Sequence, residues 1–203
     1  MNFDEKARQW DLNPIRHERA RAVADAIRRQ IPLHRRMTAL EYGCGTGLLS
    51  FELCNELGNI TLADRSAGML EVLDEKIAAA QVTHLTPVQL DLLTDPLPTR
   101  RFDLIYSLMT LHHIPDTRRI LSCFHQLLLP GGYLCIADLD REDGSFHKEP
   151  FEGHFGFDRQ ALGRLTVAVG FEVLGFETVY EMVKMVDDQP RAYPIFLMTA
   201  RRP

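Results

Sequence analysis

Long apolar runs are missing from this 203-residue chain: none reaches the ~20 residues that a membrane span requires, although 45% of the residues are apolar. That excludes a membrane-spanning helix and still leaves material for one full core, so a single domain over 1–203 is expected. Cysteine is scarce. Cys44, Cys54, Cys123 and Cys135 show no C-x-x-C spacing and fall inside apolar segments, as buried free thiols of a reducing compartment would. Positive charge is not in excess: 23 Lys and Arg face 28 Asp and Glu, a formal net charge of −5, which argues against a general nucleic-acid or anionic-membrane binder. The N-terminus mixes Asp4 and Glu5 with Lys6 and Arg8 and has no apolar h-region, so no signal peptide is expected and the cytoplasm is the default compartment. Metal-binding spacings are also lacking. Asp138, Asp140, Glu142, Asp143, His147, Glu149, Glu152 and His154 crowd together at intervals that match no standard site, and a solvated acidic loop without metal is expected there.

What is present centres on residues 39–50, Ala-Leu-Glu-Tyr-Gly-Cys-Gly-Thr-Gly-Leu-Leu-Ser. An apolar run passes through three alternating glycines into an apolar-periodic segment, which predicts a strand, a tight turn and a helix start. The glycines permit positive φ and leave no Cβ between the backbone and a ligand, and the amides opening the helix point outward unpaired. The dinucleotide fingerprint G-x-G-x-x-G needs its third glycine at position 48, where Leu48 stands. The pattern here is instead Glu41-x-Gly43-x-Gly45-x-Gly47.

That pattern resembles motif I of the class I S-adenosylmethionine-dependent methyltransferases, an acidic residue followed by G-x-G-x-G. The resemblance implies that Gly43, Cys44, Gly45 and Gly47 wrap the amino-acid end of S-adenosylmethionine, with Glu41 helping to place its cationic methionine moiety. Asp64, about twenty residues on at a strand end, is suited to accept from both ribose hydroxyls. Asp64-Arg65-Ser66-Ala67-Gly68-Met69-Leu70 is similar to the family's D-x-S-x-x-M-L, which implies that Arg65 flanks the adenosine and Met69 packs on adenine; Met69 as an ordinary helix core residue is the other reading. Asp91 and Leu92 follow the third strand where the family's acid accepts from the adenine amino group and the next amide donates to the ring; Asp91 as a helix cap is the alternative. Leu111-His112-His113-Ile114-Pro115-Asp116 resembles the family's L-H-H-(I/V)-x-D, which implies Ser107 facing the methionine end and His112 or His113 facing the space beyond the methyl group. Leu129-Pro130-Gly131-Gly132 is similar to the L-x-P-G-G that leads into the fifth strand. The resemblance covers roughly 37–138 and, more loosely, 158–200.

Along the chain, strand-like runs at 37–42, 59–63, 85–90, 102–108 and 132–138 alternate with helix-like runs at 46–57, 66–80 and 116–129 and a weak one near 95–100. This is the βαβ signature of an α/β, doubly wound, mostly parallel sheet. Residues 141–157 read as a long loop. Asp158 caps a helix closed by Gly170, and Phe171–Val186 and Tyr193–Ala200 fit an antiparallel hairpin at a sheet edge, joined by Asp187-Asp188-Gln189-Pro190. The family resemblance implies seven strands with the last antiparallel, in three layers α/β/α. Within the domain, 1–36 forms an N-terminal helical cover, 37–138 the cofactor-binding core, 139–157 an acceptor-side loop, and 158–203 the last helix and hairpin.

Asn13-Pro14 starts an arginine-rich helix with Ile15, Ala22, Val23, Ala26, Ile27 and Ile31 at helical spacing. It packs by its apolar face with solvated arginines, or it lies over the cofactor mouth with Trp10 and Arg16 as lid residues. The expected function is methyl transfer from S-adenosylmethionine to a small-molecule acceptor, by a monomer or homodimer without nucleic-acid or membrane partners. The four histidines His112, His113, His147 and His154 gather beside Tyr106 at the acceptor side, His112 and His113 being candidate bases. A (D/N)-P-P-(Y/F) motif and a Pro-Cys pair are absent after the fourth strand, which sets aside base-amino and cysteine-nucleophile chemistry. Two rivals stay open: an NAD-type oxidoreductase on a similar sheet, and an S-adenosylmethionine-binding regulator without catalysis.

Overall fold

A computed structural model describes residues 3–147 and 151–203; of the residues singled out above, Glu149 lies outside the described residues. Two helices come first, α1 (Phe3–Trp10) and α2 (Pro14–Gln30), the second opened by the Asn13 side chain accepting from the Ile15 amide. Then follow β1 (Ala39–Tyr42), α3 (Leu48–Leu53), β2 (Ile60–Asp64), α4 (Ala67–Ala80), β3 (Leu85–Gln89), β4 (Phe102–Leu108), α5 (Thr117–Leu127) and β5 (Leu128–Leu139). The chain closes with α6 (Arg159–Ala168), β6 (Glu172–Val186) and β7 (Gln189–Arg201). Among the described residues, no helix is long and apolar enough to cross a membrane.

The strands form one seven-stranded sheet in the order β3-β2-β1-β4-β5-β7-β6. The pairs of β1 with β2 and β4, β2 with β3, and β4 with β5 are parallel, and β7 runs antiparallel to both β5 and β6. Side-chain alternation divides the core into two layers. Cys135, Ala137 and Leu139 of β5 meet α2, α3 and α4 through residues such as Ile27, Leu49 and Leu73. Leu134 and Ile136 meet α5 and α6 through Phe124 and Leu162 on the other face. A doubly wound, three-layer α/β/α architecture results.

Several boundaries differ from the sequence expectations. No helix forms at 95–100: Pro96 and Pro98 remove two backbone donors, and Asp91 holds a turn instead, its carbonyl accepting from the Thr94 and Asp95 amides. The run 46–57 is helical only over Leu48–Leu53. Ile15, expected on the apolar face of α2, is 37% exposed. The hairpin turn contracts to Asp187 and Asp188, both at positive φ (47° and 58°), so β7 begins at Gln189. The hairpin does lie at the sheet margin, but β7 is inserted between β5 and β6, leaving β6 as the edge. Beyond the Leu139–Ile195 pair β7 has no β5 partner, so residues 181–186 and 189–194 extend past the sheet as a two-stranded ribbon.

Candidate active site

Parallel strands end at one edge of the sheet, where the loops leaving them must diverge to opposite layers. Here that edge opens onto a cavity of about 890 Å³, within the size range of small-molecule sites. Glu41, Gly43, Cys44, Gly45, Asp64, Arg65, Met69, Asp91, His112 and His113 all line it. Gly47, Leu92 and Ser107, also expected there, do not. Gly47 lies under Leu73 and caps α3. Ser107 is buried in β4, and the Leu92 amide already donates to Tyr42 Oη at 3.2 Å.

The glycine loop is shaped by its neighbours. The amides of Gly43 and Cys44 both donate to Ala63 O, and that of Gly45 donates to Asp64 Oδ2 at 2.7 Å. Asp64 Oδ1 accepts from the Ser66 amide, so this carboxylate ties the turn after β1 to the start of α4. A Cβ at Gly45 would lie 3.9 Å from both Met69 Sδ and Trp10 Nε1, in space the fold keeps open. Arg65 Nη1 stands 3.6 Å from Asp91 Oδ2 across the adjacent loop. Burial pushes the Glu41 carboxyl up to about 8, despite the hydroxyl and amide of Ser50 both donating to its Oε2. Tyr106 Oη in turn lies 2.6 Å from Ser50 Oγ, a buried chain beneath the loop. Burial also pushes the Cys44 thiol well up, which removes its thiolate as a nucleophile.

The N-terminal segment borders the same cavity. Arg16 donates from Nη1 to Trp10 O at 2.6 Å and stacks 3.6 Å from the Trp10 ring centroid. Asp4 Oδ1 accepts from Ser66 Oγ at 2.5 Å and from the Gly68 amide at 2.9 Å, at the start of α4. Asp11 accepts from Thr46 Oγ1 at 2.5 Å and from Lys76 Nζ at 2.6 Å. α1 is thereby fastened at both ends to the core, with Phe3, Asp4, Lys6 and Trp10 on the cavity wall.

The other end of the cavity is built after β4, after β5 and on β6. A short 3-10 turn at Leu111–His113 presents both histidines. His112 is buried, and its Nδ1 lies 2.6 Å from Oδ1 of Asp138, which is fully buried at the end of β5. Asp138 also accepts from the backbone amides of His112 and Leu139. Burial by itself would raise this carboxyl; the charge and hydrogen bond of His112 with those two amides hold it below its ordinary value. Asp138 is thus no part of a solvated loop. Asp140 is not either: it takes a bidentate pair from Arg159, at 2.7 and 2.6 Å. Desolvation, reinforced by His112, lowers His113 to about 3 and His147 to about 4, so both are neutral at pH 7. His147 stacks on Phe151 with centroids 3.7 Å apart. His154 turns away, its Nε2 lying 3.1 Å from Thr117 Oγ1 and 3.0 Å from Ile114 O, and Tyr106 is committed to Ser50.

Sequence reasoning missed Asp138 as the partner of His112, Arg19 and Met182–Met185 as wall residues, and Asp11 as a fastener. One signal existed: an acid ending a buried strand of a doubly wound sheet stands at the ligand crevice.

A family profile described as a methyltransferase domain matches residues 15–175. An uncharacterized methyltransferase of Mycobacterium tuberculosis is 37% identical over 127 residues, 63% of this chain and 59% of its own length. The ubiquinone biosynthesis O-methyltransferase of Xylella fastidiosa is 32% identical over 138 residues, 66% of this chain and 52% of its own. The chain therefore spans between half and three fifths of the length of these relatives. Among solved structures, Haemonchus contortus phosphoethanolamine N-methyltransferase 2, in complex with S-adenosyl-L-methionine, superposes with a TM-score of 0.72 at 16% identity, over 89% of this chain and 52% of that one.

Proposed function

Because the chain belongs to the methyltransferase-domain family, we propose that it transfers a methyl group from S-adenosylmethionine to a small-molecule acceptor. The observation that carries this is the division of one cavity into two chemically unlike ends. Glu41, Asp64 and Asp91, from β1, β2 and the loop after β3, set three acidic side chains around an open glycine loop, Glu41 holding its proton in the ligand-free fold. Histidines and phenylalanines supply the other end. The open space at Gly45 and this acid set fit a ligand with a cationic amino-acid end and a ribose.

In this reading Gly43, Cys44, Gly45 and Gly47 shape the loop at the amino-acid end, and Asp64 accepts from the ribose hydroxyls. Arg65, Met69 and Asp91 border the adenosine. Leu92 holds Tyr42, and Ser107 supports β4 from within the sheet. S-adenosylmethionine, when bound, supplies a methyl group on positively charged sulfur, already activated for transfer. The protein's part is alignment and exclusion of water. Phe146, Phe151 and the neutral rings of His113 and His147 do the excluding. His112, its Nδ1 proton committed to Asp138, offers Nε2 to a proton leaving an acceptor hydroxyl. The four buried free cysteines among the described residues suit a reducing, cytoplasmic setting, and the chain's negative charge suits a small-molecule rather than a nucleic-acid partner.

The test is calorimetry with S-adenosylhomocysteine and NAD, followed by a metabolite screen with methyl-labelled S-adenosylmethionine. Micromolar binding of S-adenosylhomocysteine, none of NAD, and label transfer to a metabolite are expected. Tighter binding of NAD overturns the assignment, and cofactor binding with no labelled product across the screen points to a regulator.

A further inference from the structure

Among the described residues that line the cavity, two buried polar atoms have no hydrogen-bond partner, Arg19 Nε and His147 Nε2; Glu142 Oε1, in the loop after β5, is also unpartnered but does not line it. Buried polar groups are almost always satisfied, and an unpartnered buried cation is the costliest exception. No hydrogen bond or ion pair to Arg19 occurs among the described residues. The carboxylate acting on it electrostatically, Asp138, is taken up by His112 and two backbone amides, while Tyr180 donates to Glu18. Desolvation, joined by Arg16, lowers the Arg19 guanidinium to about 10, yet it stays charged at neutral pH.

The charges on the wall are unevenly spread. Among the described residues, its acids come from α1, β1, β2 and the loop after β3, whereas the wall after β4 and β5 and on β6 contributes histidines, aromatics and Lys184 but no acid. Lys184 itself donates to Phe146 O at 2.8 Å and sits over the Phe146 ring. One guanidinium fork and one imidazole nitrogen, set among aromatic rings, match a planar monoanion better than a phosphate dianion. Resting on the methyltransferase reading, we infer that the acceptor is a carboxylic acid, its carboxylate held by Arg19 and His147 while its nucleophilic atom faces His112.

A carboxylate at Arg19 could also be that of the methionine moiety, so the experiment separates the two sources. Benzoate, 4-hydroxybenzoate and hexanoate, each paired with its primary amide, are titrated by calorimetry into the full chain saturated with S-adenosylhomocysteine. At least one acid is expected to bind about ten-fold tighter than its amide. Arg19→Gln should erase that preference, keep S-adenosylhomocysteine affinity within about two-fold, and leave the ligand-free melting temperature unchanged or higher, since an unpartnered charge is removed. His147→Phe, which keeps the stack on Phe151, should weaken the acid and not the amide, and it serves if Arg19→Gln does not fold. Equal binding of acid and amide in every pair overturns the inference. So does a ten-fold loss of S-adenosylhomocysteine affinity in Arg19→Gln, which would give Arg19 to the methionine carboxylate. Failure of the wild type to bind S-adenosylhomocysteine at all overturns the methyltransferase reading, and this inference with it.

Discussion

His112 Nδ1 lies 2.6 Å from Asp138 Oδ1, so a residue after β4 and the last inward acid of β5 form one buried pair, of which His112 lines the cavity. A carboxylate can only accept here, which fixes the proton on Nδ1 and leaves Nε2 with its lone pair in the neutral ring. His112→Ala should lower turnover about 10²-fold or more on a hydroxyl acceptor, with S-adenosylhomocysteine affinity nearly intact. Asp138→Asn should do the same by releasing the tautomer. Unchanged kcat in both variants would leave alignment as the whole of catalysis.

Asp138 also predicts an acid limit. Its folded pKa lies below its unfolded value, so the stability it contributes is present above the unfolded pKa and is lost as pH falls through the folded one. Urea midpoints followed below pH 5 should fall less steeply in Asp138→Asn than in the wild type.

Glu41 works with the opposite sign. With a folded pKa of about 8 against an ordinary carboxyl value near 4.5, the folded ligand-free chain holds a proton that the unfolded chain releases. Between those limits, stability should drop by about 1.4 kcal/mol per pH unit on this group's account. Glu41→Gln should flatten urea midpoints measured from pH 5 to pH 8; an identical slope in the variant would mean that Glu41 is ionised in the fold.

Two glycines two residues apart should respond differently to alanine. A Cβ at Gly43 would fall 2.2 Å from Thr110 Cγ2, so Gly43→Ala should lower the melting temperature of the ligand-free protein. At Gly45, φ is +53° and no atom lies closer than 3.9 Å, so Gly45→Ala should cost only the ~1–2 kcal/mol of left-handed backbone yet abolish S-adenosylhomocysteine binding. Asp64→Ala should weaken that binding by roughly 2–3 kcal/mol, the worth of its ribose hydrogen bonds. Calorimetry and thermal melts on the three variants check both halves.

Trp10 reports on the N-terminal cover. If α1 closes on the ligand, Trp10 emission should shift when S-adenosylhomocysteine is added. Asp11→Ala, which removes the bonds to Thr46 and Lys76, should then weaken binding by a larger factor than its effect on ligand-free stability explains. Matching losses would make the segment purely structural.

The strands, the glycine turn and the acids of β1 and β2 were legible because they depend on local pattern: apolar runs, alternating glycines and an acid near a strand end. The acceptor end depends on contacts far apart in sequence. Asp138 read as one acid among many, because only its pairing with His112 and its place at the end of β5 remove it from water. Arg19 sat among the arginines of α2, and nothing in helical spacing separates a solvated guanidinium from one aimed into a cavity. Leu92 fell in the expected register, but Tyr42 Oη, fifty residues earlier, takes its amide. Pro96 and Pro98 were enough to veto the weak helix and could have been read as such.

The ribbon beyond the Leu139–Ile195 pair has a consequence for how such a site diversifies. Met182, Val183, Lys184 and Met185 form one wall of the cavity, yet that stretch of β6 has a single strand neighbour, and Val183 and Met185 are largely exposed. The ribbon is tied to the loop after β5 through Lys184 Nζ of β6 to Phe146 O at 2.8 Å, and through β7 by Arg191 to Asp143 at 2.7 Å and Tyr193 Oη to Ser145 Oγ at 2.7 Å. Ribbon and loop together make a cantilevered panel, clamped to the sheet at one end and free at the other. Substitutions there reshape one half of the cavity without disturbing the strand ends that frame the other half, so under the proposed function acceptor choice can drift while the cofactor cradle stays fixed.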